Sequence, residues 1–232
     1  MKIDSSTYTH TIDPVQLPVL GTNEQFPVRQ IYCVGRNYAD HAIEMGHDPS
    51  REPPFFFMKP AYAVLAEGGA LQYPSGTNDL HHEVELVVAL KGGGVALTNE
   101  AAKDCVFGFG VGIDLTRRDL QGEAKSLGRP WESGKVFHHS APCSTLSRIE
   151  RVRLDPEALI ELSVNGETRQ KGRLSQMIWR INEIIVKLSE LFPLAAGDLI
   201  FTGTPAGVGP VVRGDALVAT IEGIGSLQIE IV

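Results

Sequence analysis

The apolar residues of this chain come mostly in short runs closed by Gly, Pro or Asn-Gly, and those runs do not alternate regularly with helical patterns. That constrains the fold more than any other feature. A doubly wound parallel sheet needs a helix after almost every strand. The expected class is therefore α+β, a mostly-β mixed sandwich roll with a few short helices. The runs read as strands are 29–35, ending at Gly35; the PPFFFMKP segment; EVELVVAL from Glu83; and VFGFGVGID over 106–114. The last alternates Gly with Phe, Val and Ile, which suits a strand packed closely against other backbone. ALIELSVN runs into Asn165-Gly166, a strong hairpin signal, and GDLIFTGTP, GDALVATIEG and GSLQIEIV complete the strand set. The best helix is 175–192, with Met177, Ile178, Ile181, Ile184, Ile185, Leu188 and Leu191 at helical spacing. Two shorter helices are expected. One spans 37–45, with Asn37 as N-cap and Gly46 as stop. The other covers the RRDLQGEAKSLG stretch, with Thr116 and Asp119 framing a capping-box-like start. Residues 1–28 are polar and punctuated by proline and read as an N-terminal arm. With no repeat or composition break, 29–232 reads as a single domain.

Bulk properties narrow the function. The 232 residues carry a formal net charge of −7, and no Lys/Arg cluster supplies the basic face that nucleic acid requires. Cys33, Cys105 and Cys143 are odd in number and widely spaced, which argues against a disulfide framework or a zinc site. The N-terminus lacks the apolar core of a signal peptide, and the apolar runs are too short to span a bilayer. The expectation is a soluble cytoplasmic protein with no membrane partner.

The strongest chemical signal is Glu83-Val84-Glu85 with Asp114. On a strand, residues i and i+2 project from one face. Three carboxylates held together in apolar surroundings repel one another unless a cation joins them. All-oxygen ligands point to Mg²⁺, Mn²⁺ or Ca²⁺ rather than zinc. Taken alone, Glu-x-Glu on a strand is more often an exposed polar face, and that reading stays open for the pair; Asp114 sits beside Gly-rich buried backbone. His41 and Glu44, at i and i+3 of a helix, can meet as a general-base pair or stand as a solvated surface pair. Lys59 and Lys135 lie in apolar or Gly-containing sequence and suit neutralisation of an enolate or carboxylate; taken singly, each is more safely read as a surface lysine. Gly203–Pro210 lacks the Lys-Ser/Thr of a P-loop, and its glycines either approach a ligand or make turns. The GFGVG stretch at 108–112 is a weak match to a dinucleotide fingerprint, and the tandem histidines His81-His82 and His138-His139 read as structural, or as residues that support a site from behind, rather than as metal ligands.

Together the segments GRNYADHAIEMG, PFFFMKP, HHEVELVVAL, GIDLTRRDLQ, GRPWESGKVF, LSVNGETRQ and GDLIFTGTPAGVG resemble the fumarylacetoacetate hydrolase family, in the family's order over roughly residues 30–215. The short length is similar to its single-domain acylpyruvase branch. The resemblance implies one Mg²⁺ or Mn²⁺ per chain on Glu83, Glu85 and Asp114. It implies a water-activating dyad of His41 and Glu44 on a lid, and Lys135 near the metal. Arg118, Gln121 and Thr204 fall at substrate-pocket positions, and Lys59 is counted with them. It further implies a homodimer and a small diketo acid substrate, cleaved at a C–C bond to pyruvate and a carboxylic acid, with fumarylpyruvate the favoured choice. Oxaloacetate decarboxylation is the runner-up, isomerisation or hydration of a diketo acid the third reading, and a catalytically dead relative the non-enzymatic one. Tyr62 departs from the smaller or acidic residue expected at its position.

Overall fold

The computed structural model describes residues 13–39 and 53–232. Along the chain, strands β1 (Gln16–Pro18) and β2 (Gln25–Pro27) form a hairpin, followed by β3 (Gln30–Gly35) and β4 (Phe55–Pro60). Short strands β5 (Val64–Ala66), β6 (Ala70–Leu71) and β7 (Leu80–His82) lead to β8 (Val84–Leu90). Helix α1 (Asn99–Asp104) precedes β9 (Val106–Ile113) and β10 (Thr116–Arg117). Helices α2 (Arg118–Ser126) and α3 (Glu132–Lys135) come next, then β11 (Ala141–Cys143) and β12 (Ser147–Arg148). The remainder is β13 (Leu159–Val164), β14 (Glu167–Arg173), α4 (Ile181–Leu191), β15 (Asp198–Phe201), β16 (Gly209–Val211), β17 (Ala216–Ile221) and β18 (Gly225–Ile231). Among the described residues no helix is long and apolar enough to cross a membrane.

A mixed sheet ordered β4-β3-β15-β8-β9-β11-β5, with β12 alongside β9, faces a second sheet ordered β14-β13-β17-β18-β6. The expected sandwich roll is the observed architecture. Strand alternation divides the core in two. Tyr32, Val34, Leu86, Val88, Val111 and Ile200 point toward Ile160, Leu162, Leu217 and Leu227 of the second sheet. Their neighbours Ile31, Cys33, Val87, Ala89, Leu199 and Phe201 point the other way, against Leu17, Val19, Phe26 and Val28. The described part of the expected arm is therefore a hairpin that seals one face of the sheet. Gly112 shows why β9 is glycine-rich. A Cβ there would fall 2.5 Å from the Phe201 ring and from Val87, so glycine lets the neighbouring strands close over the ladder.

The hairpin at Asn165-Gly166 forms as expected, with φ of 53° and 82° at the two residues. Two helix readings are corrected. The long helix begins at Ile181, not 175. Ile178 N–H donates to the Asn37 carbonyl at 2.7 Å, and Trp179 N–H to Asn37 Oδ1 at 2.7 Å. These long-range bonds hold the apolar stretch before the helix in extended form, and Leu191 at its far end is 64% exposed. Thr116 is not a cap of α2 either. It lies in β10, and its hydroxyl accepts from Lys135, while Asp119 accepts from Thr77 Oγ1 at 2.7 Å. The expected helix over 37–45 lies for the most part outside the described residues.

Candidate active site

Adjacent antiparallel strands build the acidic centre. Register pairs Glu85 with Gly112 and Val84 with Ile113, and Asp114 N–H donates to the Glu83 carbonyl at 2.8 Å. Glu83 and Glu85 thus share one strand face, and Asp114 joins them from the end of β9. All three are buried, with ligand-capable oxygens within 4.8 Å of one another, so the group is able to hold a metal ion. This settles the sequence's open alternative against a solvated strand face. Burial, then the charges of Asp114 and Glu83, push the Glu85 carboxyl well above its ordinary range. A hard divalent cation shared by the three would relieve that cost, and the all-carboxylate donor set suits one.

Basic groups bracket the triad. Lys135 is brought in by α3, where Gly134 lets the turn pack on α2: a Cβ there would lie 2.8 Å from the Gln121 backbone nitrogen. Its Nζ donates to Glu83 Oε2 at 2.7 Å, Asp114 Oδ2 at 2.6 Å and Thr116 Oγ1 at 2.8 Å. Burial opposes the ammonium charge, but Asp114 and Glu83 outweigh it and push the pKa up to about 12. Arg118 donates to Glu83 Oε1 at 2.5 Å and to Gln121 Oε1 at 2.7 Å. Gly203 N–H, at the start of the Gly-rich loop, donates to Glu85 Oε2 at 2.6 Å. Gly203 has φ +99°, and a Cβ would lie 2.7 Å from that of Asn37, so glycine is required to aim this N–H.

A cavity opens above the triad. Glu83, Glu85, Asp114, Arg118, Gln121, Lys135 and Thr204 all line it. The structure thus brings together every expected site residue that it describes except Lys59. That lysine lies behind Asp114, because β4 pairs it with Ile31 and turns it inward. Its Nζ meets Asp114 Oδ1 at 2.6 Å and the carbonyls of Ser140 and Leu115 at 2.7 and 3.0 Å. Lys59 therefore buttresses a triad carboxylate and does not face the cavity. Tyr62 is 53% exposed and does not line it. His41 and Glu44 lie outside the described residues. The tandem histidines also lie elsewhere: His82 Nδ1 donates to Gln170 Oε1 at 2.9 Å, and His138 stacks on His139.

Sequence reading passed over Arg36, Phe55, Phe57, Lys125 and Trp131 on the cavity wall. A signal for Lys125 existed: Arg118, Gln121 and Lys125 fall at i, i+3 and i+7 on α2, one helical face. Burial, then Arg118 and Arg36, lower the Lys125 pKa to about 8.

A rolled mixed sheet with three buried carboxylates beneath a cation-rimmed cavity defines a class: a β-roll protein with an all-oxygen site of the kind that takes a hard divalent cation. The chain belongs to the fumarylacetoacetate hydrolase family, its residues 30–232 matching the family model described as Fumarylacetoacetate (FAA) hydrolase C-terminal. It is similar to the crystal structure of fumarylpyruvate hydrolase from Pseudomonas aeruginosa in complex with Mn²⁺ and pyruvate. Identity is 48% and the TM-score 0.94, over 97% of this chain and 99% of that one. It is also 44% identical over 204 residues to the mitochondrial oxaloacetate tautomerase FAHD1 of Mus musculus, covering 88% of this chain and 91% of that protein. A fumarylpyruvate hydrolase of Ralstonia sp is 39% identical over 184 residues, covering 79% and 95% respectively. The relatives are thus enzymes of two kinds, a hydrolase and a tautomerase.

Proposed function

We propose that this chain is a divalent-cation-dependent hydrolase that cleaves an acylpyruvate, fumarylpyruvate above others, to pyruvate and a carboxylic acid. The observation that carries the reading is the buried Glu83–Glu85–Asp114 triad spanned by Lys135 at the base of the cavity. The similarity to a fumarylpyruvate hydrolase whose crystal contains Mn²⁺ and pyruvate supports it. A cation on the triad would supply Lewis-acid polarisation of a 2-oxo acid. Arg118 and Gln121 offer N–H donors to the substrate's 2-oxo-acid carboxylate. His41, oriented by Glu44, takes a proton from water. The water oxygen bonds to the distal carbonyl carbon, the C–C bond to the pyruvyl methylene breaks, and its electron pair passes to the pyruvate fragment as an enolate. Lys135, held charged by its carboxylate partners, stabilises that developing negative charge. The enolate carbon then takes up the proton that His41 removed.

A second reading is keto–enol tautomerisation of oxaloacetate, favoured by the similarity to the mouse tautomerase. It needs a proton shuttle and enolate stabilisation, with no bond cleavage. The two are separated by offering each substrate to the Mn²⁺-loaded protein. Release of pyruvate from fumarylpyruvate supports the hydrolase. Fast decay of enol-oxaloacetate absorbance with no pyruvate from fumarylpyruvate would replace it with the tautomerase.

A further inference from the structure

The cavity carries more positive charge than its acidic centre uses. Arg36, Arg118, Lys125 and Lys135 face it, against the carboxylates of Glu83, Glu85 and Asp114. Arg118 and Lys135 are committed to those carboxylates. Arg36 and Lys125 are not: among the described residues neither has a hydrogen-bond or ion-pair partner in a carboxylate. Both instead lie against one aromatic pair. The Arg36 guanidinium is 5.3 Å from the Phe55 ring centroid, and Lys125 Nζ is 5.0 Å from that of Trp131. The two rings meet edge to face at 5.2 Å.

The backbone is arranged to hold this geometry. A Cβ on Gly35 would fall 2.0 Å from the Phe55 ring, so glycine is needed for that ring to lie where it does. Arg36 itself adopts φ +59°, a left-handed conformation that arginine seldom takes and that is found where a side chain must be aimed. Lys125 projects from the same face of α2 as Arg118 and Gln121, one turn further from the triad-bound end. Burial first, then the like charges of Arg118 and Arg36, lowers the Lys125 pKa, so part of the cost of its charge is repulsion between Arg36 and Lys125. An anion placed between them removes it.

We propose that Arg36 and Lys125, standing over the Phe55–Trp131 pair, form a second carboxylate subsite that selects dianionic substrates, those bearing a carboxylate at the end remote from the 2-oxo acid. This rests on the acylpyruvate reading for the orientation of the substrate, with its 2-oxo-acid end at the triad. The aromatic pair provides an apolar wall for the carbon chain between the two ends. A substrate with a methyl group at its far end leaves the two cations unneutralised and binds less tightly.

The test uses two unreactive 2-oxo acids of equal length, 2-oxoheptanedioate and 2-oxoheptanoate, which differ only in the remote carboxylate. Their affinities for the Mn²⁺-loaded protein are measured calorimetrically for wild type, Lys125→Met, Lys125→Arg and Arg36→Lys. Wild type is expected to prefer the diacid by about 10-fold or more, as charged hydrogen bonds allow. Lys125→Met should lose most of that preference with the monoacid affinity unchanged, while Lys125→Arg and Arg36→Lys retain it. No diacid preference in wild type, or equal losses for both ligands in Lys125→Met, would overturn the subsite. Turnover of fumarylpyruvate is assayed alongside. Turnover without diacid preference sinks the subsite and leaves the hydrolase; diacid preference without turnover keeps the subsite and removes the hydrolase.

Discussion

Lys59 Nζ sits 2.6 Å from Asp114 Oδ1, with both side chains essentially shut off from solvent. The lysine also satisfies the Ser140 and Leu115 carbonyls, so one buried ammonium fixes the rotamer of a triad carboxylate and ties three segments together. Removing Lys59 takes the cation from Asp114 Oδ1 and a donor from two buried carbonyls, and leaves Lys135 as the carboxylate's remaining cationic partner. Lys59→Met should therefore destabilise the fold by about 3–5 kcal/mol, measured by urea unfolding of the cation-free protein. A loss below about 1 kcal/mol would mean that Asp114 does not depend on Lys59.

The lowered pKa of Lys125 sets a pH dependence. With a value of about 8, the side chain is charged below that pH and neutral above it. Around it stand Arg36, Arg118 and Lys135, which disfavour its charge, the carboxylate of Glu83, which favours it, and the Trp131 ring. The free enzyme's kcat/KM for fumarylpyruvate should accordingly fall as pH rises through about 8. Lys125→Arg keeps its charge across this range, so its high-pH limb should move upward. The same falling limb in Lys125→Arg would assign the pH dependence to another group.

The His41 variant separates hydrolysis, which activates a water, from decarboxylation, which does not. General-base catalysis typically contributes about 10²–10⁴-fold, so His41→Ala should cut fumarylpyruvate hydrolysis by that factor and leave cation affinity unchanged. Decarboxylation of oxaloacetate activates no water, and any such activity should fall much less. Equal losses on both substrates would remove His41 from water activation and leave it a role in shaping the site.

What the sequence made legible follows from how local each signal is. The triad could be found because strand alternation alone puts Glu83 and Glu85 on one face, and because Asp114 ends a strand whose glycines announce close packing. The Asn165-Gly166 hairpin is equally local. The start of α4 was not legible, because Met177 and Ile178 continue its apolar phase while the backbone of Ile178 and Trp179 is held by Asn37, some 140 residues away in sequence. Thr116 failed as a cap for a similar reason: its hydroxyl is claimed by Lys135 from another element. Lys59 looked like a substrate contact because its strand is apolar, yet sequence cannot tell which side of Asp114 it occupies. Arg36 and Lys125 were passed over because no local signal joins two cations so far apart in sequence; only the fold places them against the same aromatic pair.

The central claim is that a divalent cation on Glu83, Glu85 and Asp114 enables C–C bond cleavage. The most direct measurement is the rate of pyruvate release from fumarylpyruvate by chelator-stripped protein as Mn²⁺ is titrated back, in wild type and Asp114→Asn. Activity should rise from background and saturate at one cation per chain in wild type, and stay at background in Asp114→Asn. Full activity in the stripped protein, or a wild-type titration curve reproduced by Asp114→Asn, would contradict the account.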